Sequence, residues 1–268
     1  LINAGSITVD PLTVLSVSGG FTVAGGTNAG DLWVRGGPHV QGVLTMPSGQ
    51  MNHGTIRLET TESTWSSGIV VQDSLAAAGT LTNASDGQLH VRTGTGGPRS
   101  LNGNLVNAGE LEPGYPSSLL VQGNYTQTAS GAFRCLFAGA AIGEFSRLTV
   151  QGTATLSGAI SAKRLQGYNP NSGLLHAVLN ATSRLGTFTI LQSCDGIQLA
   201  YTATEAQLAF TTVSGVMADL TGDGMVDGAD LGFLLGAWGI CGECCLADFN
   251  SDGTVDGADL GTLLGSWS

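Results

Sequence analysis

Residues 27–58 read TNAGDLWVRGGPHVQGVLTMPSGQMNHGTIRL. The stretch opens on Asn28, a one-residue spacer and Gly30, then runs into the alternating DLWV. It reopens at Asn52 with a spacer, Gly54 and TIRL. The same opening occurs in INAGSITV at 2–9, TNASDGQLHV at 82–91 and VNAGELEP at 106–113, so the asparagines fall at 3, 28, 52, 83 and 107, in steps of 25, 24, 31 and 24. Shorter alternating runs lie between them (GFTVAG, VQGVLTM, GIVVQD), each bounded by glycine or a polar residue. A period near 25 residues, made of two or three short strands and tight turns, predicts a β-solenoid.

Physical chemistry gives each part of the repeat a task. Asparagine tolerates the left-handed backbone region at a turn. Stacked rung upon rung, its amide can bond the asparagine above and below. Asn28, Asn52 and Asn107 are therefore expected at equivalent turns of successive rungs, within hydrogen-bonding reach of a neighbour. Glycine permits the sharp corners. The alternation places Ile7, Leu32, Ile56 and Leu89 on a common inward face. The competing arrangement is an antiparallel β-sandwich with hairpin turns, which the unequal steps leave open.

From residue 119 the rhythm changes. LLVQGNYTQTASGAFRCLF (119–137) and LTVQGTATLSGAISAKRL (148–165) look like two copies of one hairpin-like unit, and the strands GTFTILQS, IQLAYTA and AQLAFTTV follow between 186 and 213. Residues 166–185 look inserted. This order resembles the terminal rungs of autotransporter-like and adhesin-like β-helix passengers. The resemblance implies that 116–213 closes the solenoid and shields its last rung from edge pairing. The expected fold is mostly β: a right-handed parallel β-solenoid over 1–115, an irregular C-terminal β cap over 116–213, and a small α module over 217–268.

That module is written twice. Residues 219–238 read DLTGDGMVDGADLGFLLGAW and residues 248–267 read DFNSDGTVDGADLGTLLGSW, 29 positions apart. The spacing is that of a twelve-residue calcium loop. Such a loop supplies oxygens from positions 1, 3 and 5, from the carbonyl at 7, and from 9 and 12. The first loop offers Asp219, Thr221, Asp223, the Met225 carbonyl, Asp227 and Asp230. The second offers Asp248, Asn250, Asp252, the Thr254 carbonyl, Asp256 and Asp259. Gly224 and Gly253 stand at position 6, where the chain turns through angles a Cβ resists. Thr221 is a neutral donor, so the first loop is expected to bind less tightly. After each loop comes an apolar set at helical spacing: Leu231, Leu234, Leu235 and Trp238, mirrored by Leu260, Leu263, Leu264 and Trp267.

Paired calcium loops with aspartate at position 12, each followed by one helix and joined by a short linker, resemble a type I dockerin. The resemblance implies two calcium ions and a nearly two-fold symmetric helix pair that docks on a cohesin-like or other protein partner. Many dockerins carry a hydroxyl-bearing pair at loop positions 10 and 11; here these are Gly228-Ala229 and Gly257-Ala258, so the calcium fold carries over residue by residue and the cohesin does not. Those small residues, with Leu231 and Leu260, mark two equivalent flat patches where a partner backbone can approach closely. A partner able to bind in either of two orientations is expected. The bland alternative is an acidic, glycine-rich tail holding no metal.

Composition sets the remaining bounds. Of the 20 acids, nine lie in 219–268, a stretch with no Lys or Arg, so the tail holds most of the formal net charge of −11. No basic stripe is present to neutralise phosphates, which argues against nucleic acid. No signal peptide or transmembrane run appears. Leu1 falls inside a repeat, and the expectation is the C-terminal part of a longer secreted or cell-surface protein. Five cysteines leave an odd one. A disulfide from Cys241 to Cys244 or Cys245 is the preferred pairing, with a zinc site as the alternative.

Within the β region the sequence offers no nucleophile or metalloprotease motif around His39, His53, His90 or His176, and each is expected at the surface or in a turn. Glu110 and Glu112 share a strand face, as a paired-carboxylate site would, but they precede Pro113-Gly114 and are expected to be solvated. Glu59 and Glu62 read the same way. Arg35, Arg57 and Arg92 follow their asparagines by 7, 5 and 9 positions and so are not expected to stack. No catalytic residue is assigned. Three functions remain: a structural display or spacer region with an attachment module, the tail of a β-helix polysaccharide-degrading lyase or hydrolase, and a carbohydrate-binding adhesin with contacts at Trp33 and Trp65.

Overall fold

A computed structural model of the chain describes residues 6–9, 14–18, 20–22, 25–37, 41–60, 65–73, 78–92, 97–116, 118–165, 168, 170–190, 196–210, 218–221, 223–240, 246–249 and 254–268, with side chains from Asn28 onward. The described residues are mostly β, in parallel sheets, with two short helices among them near the chain's end. Asn3 and Cys241, Cys244 and Cys245 lie outside the described residues, as do Cys194, His39 and Glu62.

The strands fall into three columns. Gly25–Asn28, Gln50–Asn52, Thr80–Asn83, Asn104–Asn107 and Tyr125–Gln127 pair successively in parallel. So do Asp31–Gly36, Thr55–Thr60, Gln88–Val91, Glu110–Glu112, Ala132–Phe137 and Ala159–Arg164. The third column runs through Gly42–Pro47, Ser67–Gln72, Arg99–Asn102, Leu119–Val121 and Leu148–Leu156. Up to Glu110–Glu112 each strand of these columns pairs with the strand three further along the chain, and the later rungs stay parallel as Leu148–Leu156 runs through two columns, which excludes the antiparallel sandwich. The long steps of the repeat are absorbed in connections: the 31 residues from Asn52 to Asn83 still bring the two asparagines into register.

Period-two alternation does what it should. Asp31–Gly36 and Thr55–Thr60 alternate half-buried and buried residues. Leu32, Ile56, Leu89, Leu111, Phe133 and Ile160 stack in register and are all nearly inaccessible. Burying one such side chain stabilises by about 1.5–3 kcal/mol, so each added rung brings its own core. Ile7 is not in that file. It pairs with Gly26 in another column, and Leu15 stands in register with Leu32. A count from Asn3 misplaces the first repeat by one strand, because Val9 aligns with Asn28.

The asparagine ladder is present. Asn28, Asn52, Asn83 and Asn107 each end a strand and are buried. Nδ2 of Asn28 donates to Oδ1 of Asn52 (2.7 Å), Asn52 to Asn83 (2.8 Å) and Asn83 to Asn107 (2.8 Å). Spare donor capacity goes to carbonyls of the following turn, as from Asn83 to Glu110 O (2.9 Å). Side-chain satisfaction selects asparagine here. The glycine two residues on is needed for space: a Cβ on Gly54 would sit 2.2 Å from Gly30 O, and one on Gly109 2.2 Å from both Ala84 O and Gly87 O. One rung further, Gln127 takes the asparagine's place and accepts from the Tyr125 hydroxyl at 2.7 Å.

Residues 119–137 and 148–165 are not hairpins. They are consecutive layers, with Leu119 opposite Leu148, Val121 opposite Val150 and Ala132 opposite Ala159, all parallel. Nor is 166–185 wholly an insertion, since His176–Gly186 is an eleven-residue strand parallel to Leu148–Leu156. Beyond it the pairing switches: Glu205–Phe210 runs antiparallel to His176–Gly186 and to Ile197–Tyr201. This hairpin occupies an edge that would otherwise accept another strand.

The tail has a separate small core of Ala218, Val226, Leu234, Ala247, Phe249, Val255 and Leu263. Its helices are α1, Gly228–Gly236, and α2, Gly257–Gly265. Among the described residues, no helix is long and apolar enough to cross a membrane.

Candidate functional site

The first tail loop is organised by its own carboxylates. Asp219, 4% exposed, accepts the N–H groups of Asp223 (3.2 Å) and Gly224 (2.8 Å). Gly224 has φ 91°, the left-handed conformation that position 6 demands. Asp223 accepts from Met225 N–H at 3.0 Å. At the loop's end Asp227 caps α1 by accepting from Ala229 N–H (2.8 Å), and Asp230 returns a bond to Asp227 N–H (2.9 Å), a reciprocal capping box. The other oxygen of Asp230 reaches back across the loop to Thr221 N–H at 2.9 Å. The second copy repeats this: Asp256 caps α2 through Ala258 N–H (2.8 Å), and Asp259 accepts from Asp256 N–H (2.9 Å) and Phe249 N–H (2.7 Å). Asn250 and Asp252 lie outside the described residues, while Asp248 and Thr254 are half-buried.

Asp230 and Asp259 are both 0% exposed. Burial pushes the Asp230 carboxyl up, but the N–H donors of Asp227, Thr221 and Leu220 outweigh it and hold the group below the usual carboxylate range. A carboxylate in such a place also suits a cation, and the chain has no Lys or Arg after Arg184 to supply one. The donor set of each loop is oxygen only, which suits a hard divalent cation. Among the described residues no three carboxylate, imidazole or thiol groups converge closely enough to form a finished cage.

The helices divide their apolar residues differently from the expected single face. Leu234 and Leu263 are buried and Leu231 and Leu260 partly so, whereas Phe233, Leu235, Trp238, Leu264 and Trp267 are exposed. Gly228, Ala229, Gly257 and Ala258 are exposed beside them.

A second cluster lies on the outer face of the Asp31–Gly36 column, and sequence reasoning missed it. Arg57 forks onto Asp31 (2.8 and 2.9 Å) and Arg35 meets Glu59 at 2.8 Å. Glu110 takes His90 Nε2 at 2.8 Å and Arg134 at 3.0 Å, while Arg92 lies 3.8 Å from Glu112 and 3.1 Å from His90 Nδ1. Burial raises the Glu110 carboxyl, yet His90 and Arg134 together hold it below its ordinary value. Burial likewise opposes, without overcoming, the lowering of Asp31 by Arg57 and Trp33. Glu110 and Glu112 are therefore braced rather than solvated. The guanidinium of Arg35 lies 4.0 Å from the Trp33 ring centroid and that of Arg57 5.1 Å, so the indole is occupied by cations. The missed signal was parity. Arg92 is two residues further from its asparagine than Arg35 because the turn at 84–87 is longer by two, and two extra residues leave a side chain on the same face.

Two histidines expected at the surface are buried. His90 belongs to that cluster. His176 is 1% exposed, with its ring edge-on to Phe137, Phe145 and Phe210, Nε2 facing the Tyr168 hydroxyl at 2.5 Å and Nδ1 facing Leu208 O at 3.2 Å. Burial lowers its pKa, backbone contacts to Leu208 and Leu174 opposing. His53 sits in a turn and pairs with Asp86 at 2.8 Å. Cys135 is buried and free.

The chain matches no family model and no curated protein. Its functional assignment rests on the tail loops and the helix faces beside them.

Proposed function

We propose that residues 217–268 are a dockerin-like attachment module holding two calcium ions, carried by a right-handed β-solenoid (1–115, closed by 116–213) that acts as a secreted or surface-displayed spacer. One observation carries the reading: in both copies the position-12 aspartate is fully buried at a helix start, accepts two backbone N–H groups, and is set in a segment without Lys or Arg. Calcium would supply the missing positive charge and tie each loop to its helix. Asp219, Thr221, Asp223, Asp227, Asp230 and the Met225 carbonyl would hold one ion. Asp248, Asn250, Asp252, Asp256, Asp259 and the Thr254 carbonyl would hold the other. The handedness follows from the strong bias of parallel crossovers. The helix faces favour a protein partner: a Cβ added at any glycine of either helix would meet nothing within 4 Å among the described residues, and tryptophans and leucines stand exposed on the same helices.

Hydrogen exchange of the full chain in calcium and in chelator tests the module. Chelation is expected to strip protection from 218–268 and leave 28–210 unchanged, because metal binding supplies folding energy to the tail alone. Equal protection of the tail in both conditions overturns the calcium assignment. Replacing Ala229 and Ala258 together with arginine is expected to abolish attachment to the parent scaffold or surface while calcium binding persists, and either change alone to be tolerated. Attachment that survives the double change places docking elsewhere.

A further inference from the structure

The two halves of the tail hold each other. After α1 the chain reaches Gly239 and Ile240, which pair antiparallel with Val255 and Thr254 of the second loop. In the 29-residue repeat, Ser268 is the counterpart of Gly239 and Val226 of Val255, and the counterpart contact exists. Ser268 N–H donates to Val226 O at 3.1 Å, and Val226 N–H donates to Ser268 Oγ at 2.8 Å. Position 8 of each loop is thus held by the segment that follows the other loop's helix. Both valines are buried in one core with Leu234 and Leu263.

Position 8 matters because of the peptide plane. The N–H of Val226 and the carbonyl of Met225 belong to the same rigid amide, so a bond on one aims the other. The same holds for Val255 and the Thr254 carbonyl. A loop whose position-8 amide is untethered must order that carbonyl as it binds.

We infer that the two loops are reciprocally clasped, so that a cation in one tightens binding in the other, with Ser268 the positioning residue for the Met225 carbonyl. The inference rests on the calcium assignment above. Filling the second loop orders α2, which places Ser268 on Val226. Filling the first orders α1, which places Gly239 and Ile240 on the second loop. Ordering shared in this way gives positive coupling without contact between the ions.

Calcium titration calorimetry on the full chain tests it. Disabling the second loop with Asp248→Ala and Asp256→Ala is expected to weaken the first loop about tenfold. Ser268→Pro removes both the N–H and the hydroxyl, and should weaken the first loop by a similar factor when the second is intact but add little when it is disabled. Ser268→Ala, which removes the hydroxyl that accepts from Val226 N–H and donates weakly to Val226 O (3.4 Å) but keeps the Ser268 N–H, is the gentler variant; it should weaken the first loop about threefold with exchange protection of α2 unchanged, and Ser268→Thr should restore it. First-loop affinity that ignores the state of the second loop, or Ser268 effects equal in both backgrounds, overturns the coupling with calcium binding intact. A wild-type chain that binds no calcium overturns the underlying assignment instead.

Discussion

In the stacked turns of the β region, a Cβ built on Gly54 or Gly109 would lie 2.2 Å from a backbone oxygen of the preceding layer; in α1 and α2, a Cβ on Gly232, Gly236, Gly261 or Gly265 would meet nothing within 4 Å. The same residue type answers two different needs. In the β region glycine is what lets one turn sit on the next, and the fold is its own reason. In the tail each mid-helix glycine costs about 1 kcal/mol relative to alanine and returns no packing within the chain. On the proposed function, short helices so weakened depend on something added. The loops point to a cation for their N-terminal ends, and the bare faces point to a partner.

The contrast can be broken by the sign of a single methyl group. Gly109→Ala should destabilise the β region by about 4 kcal/mol, among the larger single-site effects, because two carbonyl oxygens must move; denaturant unfolding followed by far-ultraviolet dichroism would measure it. A neutral outcome would mean that successive turns are further apart than the described register places them. The smaller and opposite effect belongs to the tail. Gly232→Ala and Gly261→Ala should each stabilise their helix by about 1 kcal/mol, read as slower hydrogen exchange in α1 and α2. Destabilisation there would show that the glycines serve the fold after all.

Acid sharpens the comparison from the β side. The Glu110 carboxyl titrates lower in the folded chain than its ordinary value of 4.5, so its stabilisation is complete above that pH and is lost as pH falls through the lower folded value. Wild type should therefore lose about 1 kcal/mol relative to Glu110→Gln between neutral pH and strong acid. Parallel stability curves for the two proteins over that range would show that His90 and Arg134 do not brace Glu110.

What the amino-acid order settled alone is whatever is local or strictly repeated. The asparagine recurrence and the inward parity of Leu32, Ile56 and Leu89 follow from period two. The turn at Gly224 follows from spacing within a twelve-residue loop, and the two helices from the apolar sets behind the loops. Register between distant segments was another matter. The place beside Leu32 went to Leu15 rather than Ile7, the ion pairs joined residues 20–26 apart, and Ser268 closed on Val226 across 42 residues. Each such contact depends on how much chain the intervening connections absorb, and turns such as 84–87 change length without leaving a mark on composition. Which helix leucines were buried was likewise decided by the docking of α1 and α2 on one core, since a period of 3.6 defines a stripe on a helix but not the side from which its neighbour arrives.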